Sequence, residues 1–171
     1  WLLHAEQSVS GIWLLMGLAL CLLGDWLLLS ESDQAFGFGL VTFLLGHVAF
    51  IGAVLTMNRR PPVWAGVVAT LVVVMLIVAF VLWPMARQDM AEGLPPTIYA
   101  LVLGGFVAAA WWSGHLLIGV GASLFFASDA LLAARRFWRE IPGSGVVVMV
   151  TYHVALLFLV VGVLRPDLVG T

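Results

Sequence analysis

The sequence predicts an all-α, polytopic transmembrane helix bundle with six spans, and three observations carry that reading. Hydrophobic residues make up 63% of the 171 residues, charged residues only 9%, and mean hydropathy is +1.14. No water-soluble domain of this length carries such a composition on its surface. The apolar residues fall into six stretches, each long enough to cross roughly 30 Å of hydrocarbon as a helix rising about 1.5 Å per residue. The breaks between them are short and rich in turn-forming or charged residues, so residues 1–171 read as a single transmembrane helical domain without linkers.

The first span, Ser10 to Leu29, ends at Ser30-Glu31-Ser32-Asp33. The second, Phe36 to Met57, is closed by Asn58-Arg59-Arg60-Pro61-Pro62, where two prolines cannot continue a helix. The third runs from Val63 to Trp83 and is bounded by Pro84, with Pro84 to Pro95 expected as a connection. The fourth, Pro96 to Trp112, is the shortest, and Gly104-Gly105 interrupts it. After the turn Ser113-Gly114-His115 comes the fifth, Leu116 to Ala134. The run from Arg139 to Gly145 then leads into the sixth, Val146 to Leu164. Trp64, Trp83, Trp111, Trp112 and Trp138 lie at span ends, as expected of an aromatic belt.

Charge narrows the function classes. The net charge of −2 and seven scattered basic residues, all Arg, exclude a nucleic-acid binder. With six spans, Arg59, Arg60 and Arg165 fall on one face and Arg87, Arg135, Arg136 and Arg139 on the other, which does not orient the chain. All-Arg usage with abundant Ala, Val and Leu points to a bacterial inner membrane protein. Cys21 is the single cysteine, so an intrachain disulfide is impossible.

Asp25 and Asp129 each stand in an apolar stretch that contains no Lys or Arg before its end. A carboxylate at that depth costs several kcal/mol, roughly 2.5 to 3.5 on insertion scales, so an ionisable residue there marks a functional site by default. The ends of spans one and five share a leaflet with the starts of spans two, four and six. Counting from that face at about 1.5 Å per residue, Tyr99 and Asp25 lie roughly 5 to 6 Å in, Asp129 about 8 Å, His153 about 10 Å and His47 about 16 Å. The unusual side chains therefore occupy one layer. Asp25 continues the Gly17, Cys21 stripe at i+4 spacing, and small stripes are where membrane helices approach closely, so it should face the bundle interior. Glu31, Asp33, Asp89, Glu92 and Glu140 read as solvated junction residues.

Several stretches, taken in order, resemble a known family. They are Leu22-Leu23-Gly24-Asp25-Trp26-Leu27-Leu28-Leu29, Phe43-Leu44-Leu45-Gly46-His47-Val48-Ala49-Phe50, Pro96-Thr97-Ile98-Tyr99-Ala100-Leu101, Gly121 to Ala133 around Phe125-Phe126-Ala127-Ser128-Asp129, and Met149-Val150-Thr151-Tyr152-His153. Together they resemble the YhhN/TMEM86 lysoplasmalogenase family of multi-pass membrane proteins. Phe50, His153 and Leu156 depart from the residues that the family usually carries at those places. The resemblance further implies about two additional amino-terminal spans, eight in all, so the chain is expected to lack the start of the family bundle.

The resemblance implies hydrolysis of the vinyl ether bond of a membrane lysophospholipid. The products are a fatty aldehyde and a glycerophospho-ethanolamine or glycerophosphocholine. Two carboxyl groups suffice for that chemistry. One, protonated, delivers a proton to the β-carbon, and the other, ionised, stabilises the oxocarbenium ion and draws a proton from water. Asp25 and Asp129 are the expected catalytic pair, with no cofactor and no metal. His47, Tyr99, Ser128, Tyr152 and His153 are expected to bind substrate or support the aspartates, in a cavity that continues as an apolar groove for the alkyl chain. Two other classes compete. A metal-dependent lipid hydrolase could use Asp25, His47, Asp129 and His153, although no closely spaced ligand pair is present. A proton-coupled transporter would need a second polar layer, and the sequence has none.

Overall fold

The computed structural model describes residues 5–30, 32–137 and 142–165. Glu31, Trp138, Arg139 and Glu140 lie outside them. Helix α1 covers Ala5–Leu28, α2 Asp33–Leu55, α3 Trp64–Ile77, α4 Trp83–Gln88, α5 Met90–Trp112, α6 Leu116–Phe137 and α7 Ser144–Leu164. Among these residues, six helical stretches are long and apolar enough to cross a membrane, α3 and α4 forming one continuous span. The chain is an integral multi-pass membrane protein.

Local chemistry sets the helix ends. Ser32 caps α2 by accepting from the Ala35 N–H at 3.1 Å, and Asp33 follows in the first turn, where a carboxylate complements the helix dipole. Gly114 takes the left-handed conformation, φ 77°, that the tight turn between α5 and α6 requires. Around that turn, His115 Nε2 meets the Asn58 carbonyl at 2.9 Å, the Arg60 N–H donates to Ser113 O, and the Val63 N–H donates to Trp111 O. These bonds fasten the α2–α3 connection to the α5–α6 turn.

Three details differ from the sequence reading. The helix after α3 does not stop at Pro84: it widens into a π turn at Val78–Leu82, where the Trp83 N–H donates to the carbonyl of Val78, and then continues as α4. Pro84 has no N–H to offer four residues back, and a π turn just before it absorbs that gap in the ladder. Helix α5 begins at Met90 and runs through Pro95 and Pro96, its sixth and seventh residues, which have no N–H to donate one turn back. It also continues through Gly104-Gly105, because Val74 of α3 packs closely against Gly104. Trp64, Trp83 and Trp112 are exposed to the surroundings as a belt requires, but Trp111 turns inward.

The helices make a closed ring. Helix α1 packs on α2, α2 on α5, α5 on α6, α6 on α7 and α7 back on α1, while α3 docks on the outside of α5. The α1–α2 seam is the tightest, and Gly46 shows why: a Cβ there would lie 3.2 Å from Cys21 Sγ and 3.4 Å from the Gly17 carbonyl oxygen. Close approach through small residues drives helix association in lipid, where apolar burial alone supplies little. Inside the ring, Cys21, Phe43, Phe50, Phe106, Phe125 and Tyr152 form the buried core. Helix α3 presents Val68, Leu71, Met75 and Leu76 outward, as a lipid-facing helix would.

Candidate active site

Every helix of the ring contributes a side chain to one polar layer. On the last turn of α1, Asp25 accepts a hydrogen bond at its Oδ2 from the Tyr152 hydroxyl of α7, at 2.8 Å. On α6, Asp129 accepts at its Oδ2 from the Tyr99 hydroxyl of α5, at 2.5 Å. Distances in this range are those of a hydroxyl donating to a carboxylate. His47 of α2 completes the second pair, its Nε2 lying 3.8 Å from the same Asp129 oxygen. That separation is too long for a hydrogen bond. His47 is fully buried, and neither of its ring nitrogens has a hydrogen-bond partner among the described residues.

Phe125 stands between the two carboxylate–tyrosine pairs. Its buried ring meets His47 edge-on at 4.6 Å on one side and Tyr152 edge-on at 5.3 Å on the other. Tyr152 is held further by an edge contact with Phe43 at 6.1 Å, and His47 by Tyr99 and Phe106, each at 5.8 Å. Phe125 thus packs His47 of one pair against Tyr152 of the other. Phe125 was not singled out in the sequence. The signal for it is its position one turn before Asp129, on the same face of α6.

Of the seven residues singled out, five come together: Asp25, His47, Tyr99, Asp129 and Tyr152. Counting along the helices put His47 some 8 Å deeper than Asp129. The two meet because side chains lean toward their own helix N-terminus, so in antiparallel α2 and α6 they lean toward one another. Ser128 does not join them; its hydroxyl donates to the Val148 carbonyl at 3.1 Å and ties α6 to α7. His153 is exposed, with Nδ1 at 2.7 Å from the Met149 carbonyl one turn back on α7, and its ring meets the Tyr152 ring edge-on at 5.0 Å, at the edge of the Asp25 pair. No three His, Cys, Asp or Glu side chains among the described residues form a group that could hold a metal ion.

A groove of about 270 Å3 lies between α3, α5 and α6. It starts at Phe126, three residues before Asp129 on α6, and extends away from the polar layer to Gly66 and Trp111.

Comparison with known proteins gives a consistent picture. The model of the YhhN family matches residues 1–163. A lysoplasmalogenase from Mycobacterium bovis is 37% identical over 131 residues, which cover 73% of this chain and 50% of the relative, and one from Mycobacterium tuberculosis matches equally. The mouse lysoplasmalogenase TMEM86B is 30% identical over 158 residues, 91% of this chain and 66% of the relative. The chain thus spans half of the length of the mycobacterial relatives. No solved structure matches it.

Proposed function

The chain belongs to the YhhN family, and from that premise we propose that it takes part in hydrolysing the vinyl ether bond of lysoplasmalogens, with Asp25 and Asp129 as the acid–base pair. The observation that carries the reading is the pair of aspartate–tyrosine contacts held by four different helices in one layer of the bundle. Each tyrosine takes up one carboxyl oxygen, which leaves the other oxygen of each aspartate for the reaction. The relatives named lysoplasmalogenase support the substrate class.

The chemistry runs in three steps. The protonated carboxyl transfers its proton to the β-carbon of the vinyl ether, and the π electrons form the new C–H bond, leaving an oxocarbenium ion. The ionised carboxyl sits where that cation develops and accepts a proton from the water that attacks it, giving a hemiacetal. The hemiacetal collapses as its C–O bond to glycerol breaks: the glycerol oxygen takes the proton that the second carboxyl drew from water, the hemiacetal hydroxyl gives its proton to the first carboxylate, and a fatty aldehyde leaves. One water is consumed and the carboxyl pair returns to its starting protonation. His47, packed against Asp129, and the two tyrosines hold the carboxyls in place, and positioning of this kind supplies a large part of such a barrier reduction.

The bilayer is proposed to be a bacterial inner membrane, which the all-Arg usage and the mycobacterial relatives support. The deciding experiment measures aldehyde release from a 1-alkenyl lysophospholipid by the purified protein in nanodiscs. Release of aldehyde and glycerophospho-base in equal amounts is expected; a folded protein that releases none would overturn the reading.

A further inference from the structure

Two ridges lead away from the Tyr99–Asp129 pair. On α5, Tyr99, Leu103, Val107 and Trp111 follow at i+4 spacing, and on α6, Asp129, Phe126 and Ser123 follow at i−3 spacing. Residues so spaced share a helix face. The antiparallel seam between these ridges is closed by a hydrogen bond at each end. Tyr99 donates to Asp129 at one, and the Trp111 indole N–H donates to Ser123 Oγ at 3.1 Å at the other. The twelve residues from Tyr99 to Trp111 make the seam about 18 Å long. The groove lies along it, between Phe126 and Trp111, with α3 as its outer wall.

The groove is lined mainly by apolar side chains, and its two hydroxyls spend their protons within their own helices. The Thr70 hydroxyl donates to the Gly66 carbonyl at 2.8 Å, and Ser123 donates to Gly119 O at 2.8 Å while accepting from Trp111. Ala69 and Val73 are exposed at its edge, so it opens sideways toward lipid. Its far end is closed. The Trp111 indole packs so tightly on Gly66 and Gly119 that a Cβ at either would collide with it, and the Trp111 carbonyl is tied to the Val63 N–H. A narrow, apolar, sideways-open slot that starts one turn from a reactive carboxyl and ends on a fixed aromatic ring fits one class of occupant: a single long hydrocarbon chain.

We propose that this groove holds the alkyl chain of the substrate, with its vinyl ether at Asp129, and that Trp111 at the closed end sets the chain length accepted. This rests on the reading that the aspartates act on a vinyl ether lipid. The proposed function does not require it, because the chain could lie between α1 and α7 instead.

The test has two arms that separate the two readings. In the first, protein in nanodiscs is photolabelled with a 1-alkenyl lysophospholipid carrying a diazirine at its chain end, and the labelled peptides are mapped. Labelling of Trp111 and of the Gly66–Val73 stretch is expected, competed by unlabelled 1-alkenyl lysolipid and not by diacyl phospholipid. Labelling confined to α1, α2 or α7, or equal competition by diacyl lipid, overturns the groove assignment whether or not the protein turns over. In the second, kcat/KM is measured across chain lengths. Ala69→Phe, which fills the slot from its exposed edge, should lower the long-to-short ratio at least about tenfold, since single methylenes in apolar pockets discriminate by that much. Trp111→Ala should move the optimum to longer chains, with Ala69→Phe standing as the independent check if that variant does not fold. An unchanged length profile in a folded Ala69→Phe protein overturns the proposal. Absence of turnover on every chain length by the unaltered protein overturns the proposed reaction instead, and the labelling pattern still decides the groove.

Discussion

At the residue scale the two aspartates differ from their neighbours in what a near-isosteric change removes. Asp25→Asn and Asp129→Asn keep the shape and an oxygen that can accept the tyrosine hydroxyl, but neither can transfer the proton. Each should lower kcat at least about 100-fold, the low end of general acid–base contributions. Thermal stability should hold or rise, because an amide inside the bundle carries no charge to bury. A variant with more than half the original rate would make that aspartate a packing residue. Tyr99→Phe and Tyr152→Phe preserve the ring contacts with His47 and Phe125 and delete only the hydroxyl that holds each carboxylate. A smaller loss, about tenfold, is expected for each, together with a displaced limb in the pH–rate profile. A purely structural tyrosine would leave that profile where it was. Ser128→Ala, one residue from Asp129, should change the rate by less than about threefold, because its hydroxyl is engaged with Val148 on the neighbouring helix and a single hydrogen bond of that kind contributes only about 1 kcal/mol.

At the element scale, the ring depends on close helix approach more than on apolar burial. Helices α1 and α2 touch through Gly46, Gly17 and Cys21, and a β-branched residue at 46 would press on a sulfur and on main-chain oxygen that cannot move aside. Gly46→Val should therefore cost about 1 to 3 kcal/mol, the usual range for overpacking. It should also shift His47, its immediate neighbour on α2. Thermal unfolding in detergent checks the first effect and turnover the second; a variant as stable and as active as the parent would mean that the seam has slack. The π turn before Pro84 belongs at this scale too. The α3–α4 span continues through it past Pro84, and α3 forms the outer wall of the groove.

At the scale of the whole molecule, five helices close a ring whose interior carries carboxyl, imidazole and phenol groups in one layer near one face. Acid–base chemistry by that layer predicts a bell-shaped dependence of rate on pH whose limbs belong to the carboxyl pair jointly, not to either aspartate. A chelator should leave turnover unchanged. Abolition by chelator with rescue by zinc would transfer the assignment to metal chemistry, and His47→Ala would then be as damaging as an aspartate change.

The sequence by itself determined the class: six apolar stretches of membrane-spanning length, helical because in lipid every backbone polar group must be satisfied within its own segment. It also singled out Asp25, Asp129, His47 and Tyr99, because polar residues in hydrocarbon are costly enough to be conspicuous wherever they occur. Which of them would touch was not legible. Lipid and helix interior are equally apolar, so a membrane helix carries little amphipathic signal to say which face turns inward. Only the tertiary structure decided that Tyr152 reaches Asp25 while His153 beside it faces out, that Trp111 leaves the interfacial belt to close a groove, and that Phe125 packs between His47 and Tyr152. Those outcomes depend on helix rotation and on the lean of side chains across antiparallel neighbours, which small-residue contacts such as Gly46 on Cys21 set in three dimensions.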